Sequence, residues 1–258
     1  MEQIELIEKL RGWFQSPLGT QVSETQAAIL EQLLPGFFGY HLLQMSVQNG
    51  VLYDSSPIQH KFKLDIHPDD SSICAASPAA LPFADDSLDV ILMHHLLEYS
   101  TNPQRLLREV SRVSLPMGHV VIVGFNPHSL WGLCKPVGRL RNHPVWAGNF
   151  IRPGRVMDWL NLLNFKIDRA QYCTYGLPLE GYSSKKADYS HGLSRNANVP
   201  FGAVYVIVAQ KQKGTLTPMR PVWKSRGSFG RLAAVQPLAG RREAPTGVSR
   251  VVPPHTKD

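Results

Sequence analysis

The chain has 258 residues, 43% of them hydrophobic and 18% charged, which suits one substantial globular core and excludes a fibrous or wholly disordered class. Its formal charge of +7 is unevenly spread: from Lys211 onward ten basic residues face two acidic ones, a net +8, so the first 210 residues stand at −1. No run of 18 apolar residues exists, and the start MEQIELIEKLRGW is charged and amphipathic rather than a signal peptide, so no membrane span and a cytoplasmic location are expected. Cys74, Cys134 and Cys173 are odd in number and far apart, which fits neither a disulfide framework nor a metal-ligand pattern.

Residues 2–13 read as a short amphipathic helix and Ser23 to Leu34 as a second, with Ser23 as cap and Pro35-Gly36 as its end. Tyr40 to Met45, His60 to Ile66 and Ile73 to Ala76 read as three strands; His67 to Ser72 is too short for a crossover helix, so the sheet is expected to be trimmed between strands two and three. Leu88 to Met93 reads as a fourth strand buried on both faces. A helix follows, capped by Asn102, opened by Pro103 and carrying Leu106, Leu107, Val110 and Val113 at helical spacing. Pro116 and Gly118 stop it, and His119 to Gly124 forms the fifth strand, parallel to the fourth. Arg155 to Leu163 is a further helix, Phe165 to Arg169 a sixth strand and Ala203 to Ala209 the last. The polar segment from Gly181 to Asn198 is either a loop covering a pocket or a plain surface loop. The expected organisation is an N-terminal helical cover over 1–36, an α/β domain over 37–210 and a basic, proline-rich tail over 211–258, disordered beyond about Gly214.

The segment from Leu81 to Gly118 carries a specific pattern. Leu81, Pro82, Phe83, Asp85, Ser87 and Asp89 lead into the fourth strand, Leu107, Arg108, Glu109, Arg112 and Val113 lie on the helix, and Pro116 and Gly118 form the turn. It resembles class I S-adenosylmethionine-dependent methyltransferases, with an L-P-F-x-D-x-S-x-D turn and an L-x-R-E-x-x-R-V helix. More thinly, the likeness runs from Phe38 to Gln210. The resemblance implies a Rossmann-like sheet with helices on both faces and S-adenosylmethionine as cofactor.

That family holds its cofactor by three devices. The glycine-rich turn after the first strand falls on Gln44 to Gly50, with Ser46 standing where the first glycine is expected. The ribose-binding acid falls on Asp65, 19 residues after Ser46; a cap of the His67-Pro68 turn is its bland alternative. The adenine-reading residue falls on Ser77, four positions ahead of Leu81. His94 and His95 follow the fourth strand, where cofactor and acceptor meet; His95 is the candidate base, against the plainer reading of a histidine hydrogen-bonded at a strand end. Glu98 and Tyr99 are pocket wall or partners of His95, and Asn126 lines the pocket or caps a helix beginning at Pro127.

The leading expectation is a methyltransferase for a small-molecule acceptor, since no nucleobase-methylating signature follows the fourth strand, where MHHLLEY stands. The alternatives are a degenerate, non-catalytic member of the fold that serves as an interaction module, and a protein whose basic tail gives weak nucleic-acid contact.

Overall fold

The computed structural model describes residues 2–65, 74–75, 80–175 and 200–213. The chain divides into two compact units, 1–215 and 216–258. The second unit, the expectation for the tail and the loop from Gly181 to Asn198 lie outside the described residues.

Two helices come first, α1 (Glu2–Phe14) and α2 (Pro17–Leu33). The expected start of α2 at Ser23 is corrected: Ser16 is the cap, its Oγ accepting from the Gly19 N–H at 3.2 Å, and Pro17 supplies the helical φ of the first position. Gly19 is required there, because a Cβ at that position would overlap the Trp13 carbonyl.

Among the described residues seven strands form one sheet: β1 (His41–Ser46), β2 (His60–Asp65), β3 (Cys74–Ala75), β4 (Leu88–His94), β5 (Ser114–Phe125), β6 (Phe165–Cys173) and β7 (Val204–Lys211). Their order is β3-β2-β1-β4-β5-β7-β6, with β7 antiparallel to both neighbours and the other pairs parallel. β1, β4 and β5 are buried on both faces, which is why they read as apolar runs. From β1 the chain proceeds outward to β2 and β3, then returns to start β4 on the other flank of β1. That reversal lies between the carboxyl ends of β1 and β4, where Ser46 pairs with His94.

Helix α3 (Pro103–Val113) crosses from β4 to β5, capped as expected by the Asn102 side chain, which accepts from the Arg105 N–H at 3.0 Å. Strand β5 starts at Ser114, earlier than expected, because Pro116 and Gly118 are accommodated within it with Met117 at φ 71°. Between β5 and β6 lie α4 (Leu130–Leu133), α5 (Lys135–Leu140), α6 (Pro144–Ala147) and α7 (Pro153–Leu162). β1 and β2 are joined without a helix, by residues 47–59.

The recognised motif around Leu81 is a clamp. Arg112 donates to Glu109 at 2.9 Å, to Asp85 at 2.6 Å, to the Phe83 carbonyl at 2.9 Å and to the Leu81 carbonyl at 3.0 Å; the Leu81 N–H donates back to Glu109 at 3.2 Å. The hydrogen bond from Arg112 lowers the Glu109 pKa. Asp89 serves the neighbouring strand, accepting from the Tyr40 and His41 N–H groups, each at 2.9 Å. These residue types are thus needed to set the turn before β4 against α3 and β1.

Candidate functional site

The switch point between β1 and β4 holds a chain of polar side chains removed from solvent. Ser46, Gln26, His94, His95 and Glu98 are each at most 1% exposed. Side chains of this kind are retained in a core only when each finds a partner. The Gln48 N–H donates to Ser46 Oγ at 2.9 Å, and Ser46 Oγ lies 3.0 Å from His94 Nδ1. His94 Nε2 lies 2.6 Å from Gln26 Oε1, and Gln26 Nε2 lies 2.9 Å from His95 Nε2. His95 Nδ1 meets Glu98 Oε1 at 3.3 Å, which also accepts the Phe125 N–H at 2.5 Å.

One proton arrangement satisfies every link. Ser46 donates to Nδ1 of His94, which is protonated on Nε2 and donates to the Gln26 carbonyl; the Gln26 amide donates to Nε2 of His95, which is protonated on Nδ1 and donates to Glu98. Both imidazoles are then neutral. Burial depresses the His94 pKa well below the ordinary histidine value, with His95 beside it adding to the effect. His95 holds a left-handed backbone, φ 50°, just past the strand, which turns its ring toward Gln26 and Phe125; its ring stacks on that of Phe125 at 4.1 Å.

Two buried polar atoms near this chain lack a hydrogen-bond partner among the described residues, Glu98 Oε2 and Tyr205 Oη. Gly124 makes room for both groups: a Cβ there would sit 2.5 Å from Tyr205 Oη and 2.9 Å from Glu98 Oε1. Burial, followed by the charge of Glu98, raises the Tyr205 pKa well above its ordinary value.

The expected site residues are distributed as follows. Ser46, His94 and His95 are brought together. Gln44 is buried on β1, but its amide is spent on the following loop, donating to the Gly50 carbonyl at 2.7 Å and accepting the Leu52 N–H at 2.9 Å. Leu81 is buried within the Arg112 clamp, remote from these contacts. Asp65 ends β2 beside Ala75 of β3; its side chain and all of Ser77 lie outside the described residues. Tyr99 donates to the Val145 carbonyl at 2.9 Å, and Glu98 is the partner of His95. Asn126 caps no helix at Pro127: its amide donates to the Pro200 and Gly202 carbonyls, and Ser129 caps α4 instead. Gln26 escaped the sequence reading. Its signal was its place among Val22 and Leu30 at four-residue spacing, a lone polar side chain in the buried stripe of α2.

S-adenosylmethionine, the cofactor implied by the sequence resemblance, needs open space beyond β1 and β4. Among the described residues, two side chains of the N-terminal helices stand at that edge. Gln26 bridges the two histidines, and Phe14 of α1 lies with its ring 5.8 Å from that of His94 and 5.7 Å from that of His95. Ser23 of α2 bonds Gln48 at 3.1 Å, so α2 is also tied to the loop after β1.

Open space lies further along the same edge. A cavity of about 1260 Å³ is bounded by Leu97 and Asn126 after β4 and β5, by the start of α7, by Tyr172 near the end of β6, and by Pro200 and Phe201 before β7. Phe150, Trp159, Tyr172 and Phe201 give it aromatic walls, and Arg152, Arg155 and Asp158 supply charge, with the Arg155 guanidinium 5.2 Å from the Trp159 ring centre.

Comparison with known proteins places this geometry. A family model described as "Methyltransferase domain" matches residues 36–122. The chain is 35% identical over 200 residues to the uncharacterized protein YafS of Escherichia coli K12, covering 75% of this chain and 79% of that one. It is 32% identical over 95 residues to an uncharacterized methyltransferase of Mycolicibacterium gilvum, 34% of either chain. Among solved structures, a SAM-dependent methyltransferase of Thermotoga maritima, described as a possible histamine N-methyltransferase, is similar with a TM-score of 0.60 and 16% identity over 80% of this chain and 96% of that one. A SAM-dependent methyltransferase of Archaeoglobus fulgidus gives a TM-score of 0.51 and 19% identity over 72% and 93%. At such identities the solved structures speak for the fold alone. Among the described residues no helix is long and apolar enough to cross a membrane.

Proposed function

The chain belongs to the class I S-adenosylmethionine-dependent methyltransferase superfamily, whose cofactor is S-adenosylmethionine, and on that premise we propose that it methylates a small-molecule acceptor held in the cavity bounded by α7 and the ends of β5 and β6. The cavity carries this reading. Its volume of about 1260 Å³ suits a metabolite-sized ligand, and Leu97 and Asn126 on its wall adjoin Glu98 and Phe125 of the polar chain. The aromatic walls bury the body of the acceptor while Arg152, Arg155 and Asp158 orient its polar end and exclude water.

His95 is the proposed base. Its Nε2 carries the ring's lone pair, held by the Gln26 amide at 2.9 Å, and Glu98 on Nδ1 is the positioning residue that fixes this tautomer. While Gln26 occupies Nε2, His95 is silent. A second reading, a non-catalytic member of the fold, is favoured by the closed strand edge and by Ser46 at the glycine position.

Incubation of the full chain with methyl-labelled S-adenosylmethionine and a cell extract, followed by size fractionation, tests the proposal. Label in the low-molecular-weight fraction is expected. Label confined to RNA or protein would replace the small-molecule acceptor, and absence of transfer together with absence of donor binding would favour the non-catalytic reading.

A further inference from the structure

The short helices α4 and α5 turn large apolar side chains to solvent although their inner side is closely packed. Trp131 is buried, and its carbonyl accepts from the Trp146 indole N–H at 2.9 Å. Gly132 and Gly138 permit this approach: a Cβ at the first would overlap the Pro127 carbonyl, and at the second the Trp146 ring. The outer side is fixed by the same packing. It carries Leu130, Leu133, Val137 and Leu140, exposed at 46%, 72%, 59% and 86%. Of the ten large apolar side chains exposed among the described residues, four fall within residues 130–140, so they form a patch and not the ordinary scatter of surface leucines.

The surroundings of the patch are cationic. Between Glu109 and Asp158 the sequence holds six basic residues and no acidic one. Arg139 and Arg141 are exposed, and neither forms an ion pair among the described residues. Lys135 leans inward, donating to the Gly148 carbonyl at 2.8 Å with its ammonium 4.9 Å from the Phe150 ring centre. Open space of about 630 Å³ is bounded by Gly132, Lys135, Pro136, Arg139 and Leu140. Leucines beside unpaired arginines match the boundary between the headgroups and acyl chains of an anionic bilayer. Nucleic acid would engage the cations and leave the leucines in water.

We propose that the surface of α4 and α5 docks on an anionic lipid bilayer, with Leu133, Val137 and Leu140 among the acyl chains and Arg139 and Arg141 on the lipid phosphates. Docking of this kind is independent of methyl transfer.

The test is flotation of the full chain, at physiological salt, with vesicles of phosphatidylcholine alone and of equal parts phosphatidylcholine and phosphatidylglycerol. Binding to the mixed vesicles only is expected. The double variant Leu133→Ser, Leu140→Ser keeps every charge of the chain, the basic residues after Lys211 included, and should bind at least about tenfold more weakly while melting like the parent. Hydrogen exchange should show peptides from residues 130–141 protected by the mixed vesicles while those from α3 are unchanged. Equal binding by parent and double variant, or no protection of residues 130–141, would overturn the proposal. So would retention of single-stranded RNA without vesicle binding, which would make the patch a nucleic-acid interface. A parent that sediments as a dimer and a double variant that sediments as a monomer would assign the patch to a second copy of the chain and overturn it equally.

Discussion

Replacing Gln26 by alanine removes two hydrogen bonds at once and leaves the Nε2 proton of His94 and the Nε2 lone pair of His95 without partners at sites that are fully buried. A buried polar group left unpaired costs about 1–3 kcal/mol, so the pair gives about 2–6 kcal/mol. That is a large share of the about 5–15 kcal/mol that holds an ordinary domain together. Urea titration followed by far-UV circular dichroism measures it directly: the midpoint should fall with little change in slope. Gln26→Glu provides the contrast. Its carboxylate still accepts from His94 but has no proton for His95, so it should lose one of the two hydrogen bonds where alanine loses both, and should cost less than Gln26→Ala. A cost for Gln26→Ala below about 1 kcal/mol would refute the continuous chain from Ser46 to Glu98, because one unpaired buried group alone exceeds that.

Three further outcomes follow from the same buried groups. The His94 pKa is depressed in the folded state by burial, so the folded form gains stability above the unfolded value of about 6.5 and loses it as pH falls below that, by up to about 1.4 kcal/mol per unit; urea melts at pH 7.5 and 5.5 should show this loss, and His94→Gln should flatten it. Tyr205→Phe removes a hydroxyl that is buried without a hydrogen-bond partner among the described residues, so thermal melting should be unchanged or raised; a loss above about 1 kcal/mol would mean that the hydroxyl is bonded in solution. Ser46→Gly strips the donor from His94 Nδ1 and the acceptor from the Gln48 N–H, and should cost about 1–2 kcal/mol by urea titration.

The sheet was legible because burial on both faces forces β1, β4 and β5 into apolar runs that no surface element tolerates. The turn and helix from Leu81 to Val113 were legible too. Their residue types form one clamp around Arg112, so Leu81, Asp85 and Glu109 are fixed together by one side chain although Asp85 and Leu81 stand 27 and 31 residues before it. Boundaries were less so. Ser23 read as a cap because a serine before an apolar stretch has that form, whereas Ser16-Pro17 is the true start and Ser23 Oγ bonds Gln48, 25 residues away. Pro116 and Gly118 read as stops, yet an end strand position tolerates both. The short helices α4, α5 and α6 are too brief to show periodicity. Gln26 was hidden for a different reason: its meaning depends on two histidines 68 and 69 residues further along, and no local pattern connects them.

Calorimetric titration of the full chain with S-adenosylmethionine and with S-adenosylhomocysteine is the most direct measurement. Both ligands should bind at a single site beyond the carboxyl ends of β1 and β4. No heat of binding from either ligand up to millimolar concentration would contradict the proposed methyltransferase activity and favour the non-catalytic reading.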